Sequence, residues 1–180
     1  MSQQPHILIA DDERSIRLML ETGLTLNGFR VTSARNGREA LELATAGVPL
    51  NAGGGGGNKF DAVLSDIYMP DLGGLELVDA LRAIDPHLPI VLMTAQGSLQ
   101  VAVEAVTRGA SDFIGKPFDV SAVVALLKRL LEARREADAF PTPEPEDQLA
   151  HVGLIGRSVP MIVVYKLIAQ AARTDATVLI

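Results

Sequence analysis

Short apolar runs alternate with longer segments of helical periodicity over residues 6–137, and this alternation constrains the fold more than any other feature. The pattern is typical of β–α units arranged around a parallel sheet. The predicted strands are His6–Ala10, Arg30–Ser33, Ala62–Ser65, Pro89–Met93 and Asp112–Gly115. The predicted helices are Arg14–Leu26, Gly37–Ala46, Gly74–Ile84, Leu99–Arg108 and Val120–Ala137. We therefore expect an α/β fold with a doubly wound, five-stranded parallel sheet and five helices.

Composition narrows the classes of function. The chain has 180 residues, 48% of them hydrophobic and 21% charged, which is typical of a globular protein and not of a disordered one. It has no cysteine, which excludes disulfide scaffolds, thiol nucleophiles and thiolate zinc sites. Its formal charge of −6 lacks the basic surplus that binding a nucleic-acid backbone requires. No apolar stretch approaches the ~20 residues that span a bilayer, and no secretion signal is evident, so we expect a soluble, cytoplasmic protein without membrane contact.

Two segments interrupt the regular alternation. Residues 51–58, NAGGGGGN, predict a flexible loop between the second helix and the third strand, at the edge of the sheet opposite the ligand-binding edge. Residues 140–147, FPTPEPED, predict an extended linker. The predicted organisation is a domain at 1–138, a linker at 139–150 and a fragment of a second domain at 151–180, because the last residues read as the start of a buried strand.

Polar side chains follow four of the predicted strands. Asp11 and Asp12 follow the first strand, Asp66 the third, Thr94 the fourth and Lys116 the fifth. Since the carboxyl ends of parallel strands meet at one edge of a sheet, we expect these side chains to converge there. Two unit charges ~4 Å apart repel by about 4 kcal/mol at an effective dielectric near 20, so three clustered carboxylates favour a bound cation. Oxygen ligands without histidine or sulfur favour Mg²⁺.

This set of side chains predicts phosphoryl transfer to a carboxylate, because the transition state of that reaction mainly needs positioning and charge neutralisation. Asp66 would be the acceptor, Mg²⁺ and Lys116 would neutralise the phosphoryl oxygens, and Thr94 would donate a hydrogen bond to one of them. Plainer interpretations stay open for single residues. The Asp11–Asp12 pair could cap the first helix, and Phe113 could be an ordinary core residue.

Four motifs occur in order along the chain: the Asp11-Asp12 pair, Asp66-Ile-Tyr-Met-Pro, Met93-Thr-Ala and Lys116-Pro-Phe. Together they resemble the receiver domain of two-component response regulators, over residues 5 to about 131. The resemblance implies a flavodoxin-like receiver fold, phosphorylation of Asp66 and a histidine kinase as the donor. It also implies a signalling domain and not an enzyme, since its chemistry would be limited to its own phosphorylation and dephosphorylation.

The resemblance assigns the metal ligands. It implies that Asp12, Asp66 and the backbone carbonyl of Tyr68 bind Mg²⁺, and that Asp11 contacts the ion mainly through water. It further implies a cis Lys116–Pro117 bond, an isomer that proline tolerates.

The resemblance also implies a conformational switch and contact surfaces. The switch residues are Thr94 and Phe113, whose ring would follow the hydrogen bond of Thr94. Residue 113 is Phe and not Tyr, so it has no hydroxyl group that could form a hydrogen bond. Only a change of its ring between a buried and an exposed position can therefore carry the signal. A kinase would dock on the first helix, at Arg14, Ile16, Arg17 and Met19, and on the loop after Lys116. We expect a homodimer through the fourth and fifth helices, with Leu130, Leu131 and the charged run to Asp138 as a helical extension of the fifth.

A second resemblance lies in the last thirty residues. Leu154-Ile-Gly-Arg-Ser, Val164-Tyr-Lys-Leu-Ile-Ala and Thr174-Asp-Ala-Thr-Val-Leu-Ile resemble the opening of the AAA+ ATPase domain of NtrC-like activators of sigma-54-dependent transcription. The nucleotide-binding motif G-x-x-x-x-G-K-[ST] does not occur in the 180 residues, so the ATPase core is not part of this sequence. The resemblance implies that a full-length protein contacts DNA, ATP and sigma-54 RNA polymerase.

Two alternative functions use similar residues. A phosphatase of the haloacid-dehalogenase type also combines an aspartyl nucleophile with Thr, Lys and Mg²⁺. That class has a D-x-D arrangement after the first strand, whereas here the two acids are adjacent and the candidate nucleophile follows the third strand. A flavodoxin-like binding module would need a Ser/Thr/Gly-rich phosphate loop after the first strand, where this chain has Asp-Asp-Glu-Arg.

Overall fold

A computed structural model describes residues 4–46, 60–94 and 104–139, all within one compact unit, Met1–Ala139. The predicted glycine-rich loop at 51–58, the beginning of the fourth predicted helix, the linker beyond residue 139 and the fragment at 151–180 lie outside the described residues. The predicted division of the chain into domains therefore stays a prediction.

The alternation of strands and helices is confirmed. The strands are β1 His6–Ala10, β2 Arg30–Ala34, β3 Ala62–Asp66, β4 Ile90–Thr94 and β5 Asp112–Gly115. The helices are α1 Arg14–Leu26, α2 Gly37–Thr45, α3 Gly74–Ile84, α4, of which residues 104–107 are described, and α5 Val120–Ala139. The elements thus form the predicted α/β fold, and the strand boundaries agree with the prediction to within one residue.

All neighbouring strands are parallel, and their order in the sheet is β2-β1-β3-β4-β5. Every residue of β1, β3 and β4 is buried, whereas the outer strands β2 and β5 are partly exposed. Central parallel strands are covered by helices on both faces, which is why they read as nearly continuous apolar runs in the sequence.

Successive strand side chains point to opposite faces of the sheet and build two cores. Leu8, Val63 and Leu92 pack on the face covered by α2, α3 and α4. Ile9, Leu64 and Met93 pack on the face covered by α1 and α5, with Leu20, Leu24, Val123, Leu127 and Leu131. Burying each of the larger side chains stabilises the fold by about 1.5–3 kcal/mol, so the strands and their carboxyl ends are held at fixed relative positions.

The end of α5 packs against its own domain. Leu131 is only 7% exposed and belongs to the core beneath α1 and α5. One turn later, Arg134 Nη2 lies 3.0 Å from Asp85 Oδ2, in the connection between α3 and β4. The predicted helical extension is therefore present, but Leu131 is used inside the domain and is not free for a dimer contact.

Among the helices of the described ranges, none is both long enough and apolar enough to cross a membrane.

Candidate functional site

The carboxyl ends of four strands bring the predicted site residues together. Asp11 directly follows β1, Asp66 and Thr94 end β3 and β4, and Lys116 directly follows β5. Asp11, Asp66 and Thr94 are buried, with 0%, 6% and 3% of their surface exposed, while Asp12 is exposed. The convergence predicted from parallel strand ends is found, with one of the three acids facing solvent.

Lys116 joins the ends of the strands through its ammonium group. Lys116 Nζ donates a hydrogen bond to Asp11 Oδ2 at 2.9 Å and lies 3.1 Å from Asp66 Oδ2. Glu13 Oε1 lies farther away, at 3.9 Å. The backbone N–H of Lys116 donates to the carbonyl oxygen of Thr94 at 2.6 Å, which fixes the start of this loop against β4. The Lys116–Pro117 bond is cis, as the resemblance implied.

Backbone amides hold the other carboxylate oxygens. Asp66 Oδ1 accepts a hydrogen bond from the N–H of Ile67, and Asp11 Oδ1 accepts one from the N–H of Glu13, both at 2.8 Å. The alternative reading of the acidic pair as a helix cap is wrong, because Glu13 is the N-cap residue of α1 and no side chain caps it. Asp11 and Asp12 lie in the turn that precedes this N-cap residue. The Asp11 carboxylate accepts its backbone hydrogen bond from Glu13 within that turn.

Burial and mutual charge shift the ionisation of the two central groups. Burial raises the pKa of Asp66 above its ordinary value, and the negative charge of Asp11 adds to this, while the hydrogen bond and charge of Lys116 act against it. Burial alone would lower the pKa of Lys116, but the hydrogen bonds and charges of Asp11 and Asp66 outweigh burial and raise it. Lys116 is therefore a firmly protonated cation, and the Asp66 carboxylate depends on nearby positive charge.

The arrangement of the acids suits a divalent cation. Asp11, Asp12 and Asp66 each offer one carboxylate oxygen, and these oxygens all lie within 4.8 Å of one another. Three carboxylates against one ammonium leave a charge of −2 in this cluster, which is the charge that one divalent ion balances. The ligands are hard oxygens and Asp12 is open to solvent, which matches the preference of Mg²⁺ for a few carboxylates together with several waters.

The residues assigned to the switch and to the loop after β3 lie on, or shortly after, strands that lead to the site residues. Phe113 lies on the edge strand β5 in register with Leu92 of β4, and the residue is 42% exposed. Tyr68 follows β3, and the residue is 65% exposed. Thr94 is in register with Gly115, so it lies between the acceptor strand and the strand that carries Phe113.

Two arginines contribute contacts that the sequence did not reveal. Arg17 Nη1 donates to the backbone carbonyls of Asp11, at 2.7 Å, and Asp12, at 2.9 Å. Arg82 donates to the carbonyls of Leu88, at 2.6 Å, and Gly109, at 2.8 Å, and so joins the segments that precede β4 and β5. The only available signal for Arg17 was its place in the first turn of α1, because helical side chains tilt towards the N-terminus of their helix.

The model of the family described as the response regulator receiver domain matches residues 7–128. The chain belongs to this family. The chain is also 36% identical over 176 residues to the DNA-binding transcriptional regulator NtrC of Azospirillum brasilense, a match that covers 97% of this chain and 34% of that protein. The chain thus spans about a third of the length of such curated relatives.

Solved structures show the same fold. The chemotaxis protein CheY4 of Vibrio cholerae superimposes with a TM-score of 0.62 at 32% identity, over 71% of this chain and 99% of that one. The receiver domain of NtrX from Brucella abortus gives a TM-score of 0.60 at 32% identity, over 70% of this chain and 98% of that one. This chain is therefore an NtrC-like receiver of the two-component response regulators. Membership in this family favours a receiver over the phosphatase and the flavodoxin-like module considered above.

Proposed function

We propose that this receiver accepts a phosphoryl group on Asp66 from a phosphohistidine of a partner kinase. The observation that carries the proposal is the position of the Asp66 carboxylate. It ends a buried strand, lies 3.1 Å from the Lys116 ammonium and shares a cluster with two further acids. A carboxylate in this position has a cation beside it and an acid that is exposed to solvent, Asp12, as its neighbour.

The proposed step forms a phosphorus–oxygen bond and breaks a phosphorus–nitrogen bond. An oxygen of the Asp66 carboxylate attacks phosphorus, the electron pair of the broken bond goes to the kinase imidazole, and that nitrogen takes up a proton from solvent. Charge spreads over the phosphoryl oxygens in the transition state, so fixed positive groups lower the barrier. The Lys116 ammonium supplies such a charge, and the Thr94 hydroxyl would donate a hydrogen bond to one phosphoryl oxygen.

Asp12, Asp66 and the backbone carbonyl of Tyr68 would hold Mg²⁺, with Asp11 acting mainly through water. When bound, Mg²⁺ neutralises charge on the phosphoryl oxygens. The residues of the chain then have separate tasks. Asp66 forms the covalent bond, Lys116 holds Asp11 and Asp66 in one orientation, and Asp12 completes the negative cluster at the solvent side.

The output would be a shift in population between two conformations. Thr94 would turn towards a phosphorylated Asp66, and the ring of Phe113 would leave its exposed position for the space that Thr94 vacates. The changed surface of α4, β5 and α5 would alter homodimer contacts. It would thereby control an attached sigma-54-type activator, whose full-length form would contact DNA, ATP and sigma-54 RNA polymerase. The kinase would dock on α1 and on the loop that follows Lys116.

The test is phosphorylation by a small donor, acetyl phosphate, in the presence of Mg²⁺. Intact-mass measurement should show the gain of one phosphoryl group for the parent and no gain for Asp66→Ala. Asp112→Asn, a change of another strand aspartate, serves as the matched control and should keep the gain. A gain that persists in Asp66→Ala contradicts the proposal. Catalytic turnover of a phosphomonoester that depends on Asp66 would instead support the phosphatase.

A further inference from the structure

We infer that Arg17 is a positioning residue for the two acids of the β1–α1 loop, an inference that rests on the proposed function. One nitrogen of its guanidinium group, Nη1, donates to the carbonyl oxygens of both Asp11 and Asp12, at 2.7 and 2.9 Å. Arg17 thus contacts neither carboxylate in these bonds. It holds the backbone from which both carboxylates project, and so it determines where they can meet a cation.

The helix makes this contact rigid. Arg17 lies in the first turn of α1, where its backbone N–H donates to the carbonyl of Glu13 at 3.1 Å. Because helical side chains tilt towards the N-terminus, its guanidinium reaches back over the turn that precedes the helix. The side chain is half-buried. The turn that carries the acids is therefore attached to α1 through the carbonyl oxygens of Asp11 and Asp12.

Asp12 depends on this contact more than Asp11 does. The Asp11 carboxylate is already held by the N–H of Glu13 and by Lys116. Asp12 is exposed, and among the described residues no side-chain hydrogen bond or ion pair holds its carboxylate. Its position is set by its backbone, and Arg17 binds that backbone at the carbonyl group.

Charge and positioning predict opposite effects of removing Arg17. Deleting a positive charge close to a cation site strengthens cation binding by Coulomb attraction alone. Releasing the turn that presents two carboxylates weakens cation binding, and loss of such outer contacts typically costs 10–100-fold in metal affinity. The direction of the change therefore separates the two roles.

The test measures Mg²⁺ affinity without any phosphodonor. MgCl₂ is titrated into the full chain and followed by backbone amide NMR, for the parent, Arg17→Gln and Arg38→Gln. Arg38 is exposed at the start of α2, so its variant changes the net charge equally without touching the turn. We expect the Kd of Arg17→Gln to rise about tenfold, and that of Arg38→Gln to stay within about twofold of the parent. The free energy of unfolding in Mg²⁺-free buffer is measured in parallel by urea denaturation.

If Arg17→Gln fails to fold, Arg17→Lys replaces it. The lysine side chain is one bond shorter, so we expect its ammonium group not to reach both carbonyl oxygens and the Kd to rise although the charge is kept. A Kd of the Arg17 variant equal to or tighter than that of the parent overturns the inference, and so does an equal rise in Arg38→Gln. A parent that binds no Mg²⁺ at all contradicts the proposed function instead, so the two failures are distinguishable.

Discussion

At the scale of single residues, the three acids of the site differ in how their charge is balanced. Lys116 contacts the carboxylates of Asp11 and Asp66, and both groups are buried. Asp12 is exposed and lies close to both of them without sharing this ammonium contact. In the absence of a cation, the carboxylate of Asp12 therefore repels the other two and lowers the stability of the fold. Asp12 becomes favourable only when a cation is bound.

This difference predicts the effect of Asp12→Asn on stability. In Mg²⁺-free buffer the variant should raise the free energy of unfolding by about 1 kcal/mol, because it removes repulsion between charges a few ångströms apart at a solvated position. With saturating Mg²⁺ the parent should gain stability by binding the ion, and the advantage of the variant should vanish or reverse. Urea denaturation in both buffers measures this. Glu42→Gln, at an exposed position on α2, controls for net charge. An unchanged or lower stability of Asp12→Asn without Mg²⁺ would contradict the clustering.

At the scale of elements, the start of α3 packs directly against the strand that ends in Asp66. A Cβ atom added to Gly74 would lie 2.1 Å from the carbonyl oxygen of Asp66, and the N–H of Gly74 donates to the carbonyl of Ile67 at 2.8 Å. Only glycine permits this approach, so the helix and the acceptor strand hold each other in place.

Gly74→Ala should therefore displace the backbone of the acceptor. We expect it to lower the free energy of unfolding by about 1–3 kcal/mol, the range for overpacking, and to slow phosphorylation of Asp66 by acetyl phosphate. Gly115→Ala is the matched control for stability, since nothing lies within 4 Å of a Cβ added there. Urea denaturation and a time course of mass gain provide the two measurements. Equal stability of the two variants would show that α3 adjusts to the added methyl group.

Sequence patterns predicted the described ends of the elements to within two residues. β3 and β4 each continue one residue beyond their predicted end, to the polar residues Asp66 and Thr94. Both residues still pair with the neighbouring strand, Asp66 with Met93 and Thr94 with Gly115. Backbone pairing does not depend on the polarity of the side chain, so a prediction from hydrophobicity ends before the strand does. Asp66 and Thr94 were predicted as site residues because they lie at these polar ends.

Contacts to backbone carbonyls could not be predicted. Arg17 and Arg82 donate to carbonyl groups of segments that precede or lie far from them in the chain. A carbonyl acceptor is present in every residue and leaves no mark in the sequence, so only the fold shows which ones an arginine reaches. For the same reason the sequence indicated only a surface role for Arg17, in kinase docking.

At the scale of the whole molecule, the buried acceptor affects how stability depends on pH. The pKa of Asp66 is raised, first by burial, so between its ordinary and its raised value the folded state binds more protons than the unfolded state. The free energy of unfolding contributed by this group therefore falls as pH rises through that interval.

Asp66→Asn should remove this contribution. In Mg²⁺-free buffer, as pH rises from the ordinary pKa of an aspartate, about 3.9, through the raised pKa of Asp66, the stability of the variant relative to the parent should increase. Urea denaturation of both proteins at a series of pH values gives the difference directly and cancels the titration of groups they share. A constant difference across the series would mean that the Asp66 carboxylate ionises in the folded protein as readily as in the unfolded chain.

The order of the strands has one more consequence. Asp66 ends β3, the middle strand of five, so two strands lie on each side of it. With neighbouring strands ~4.8 Å apart, both outer strands are about 10 Å away, which exceeds the Debye length of about 8 Å at physiological ionic strength. Asp66 is buried, however, and salt screens buried charges much less than exposed ones. A charge added at Asp66 therefore acts through the protein interior on the whole width of the sheet, including β2 and β5, each of which has an edge that pairs with no other strand among the described residues.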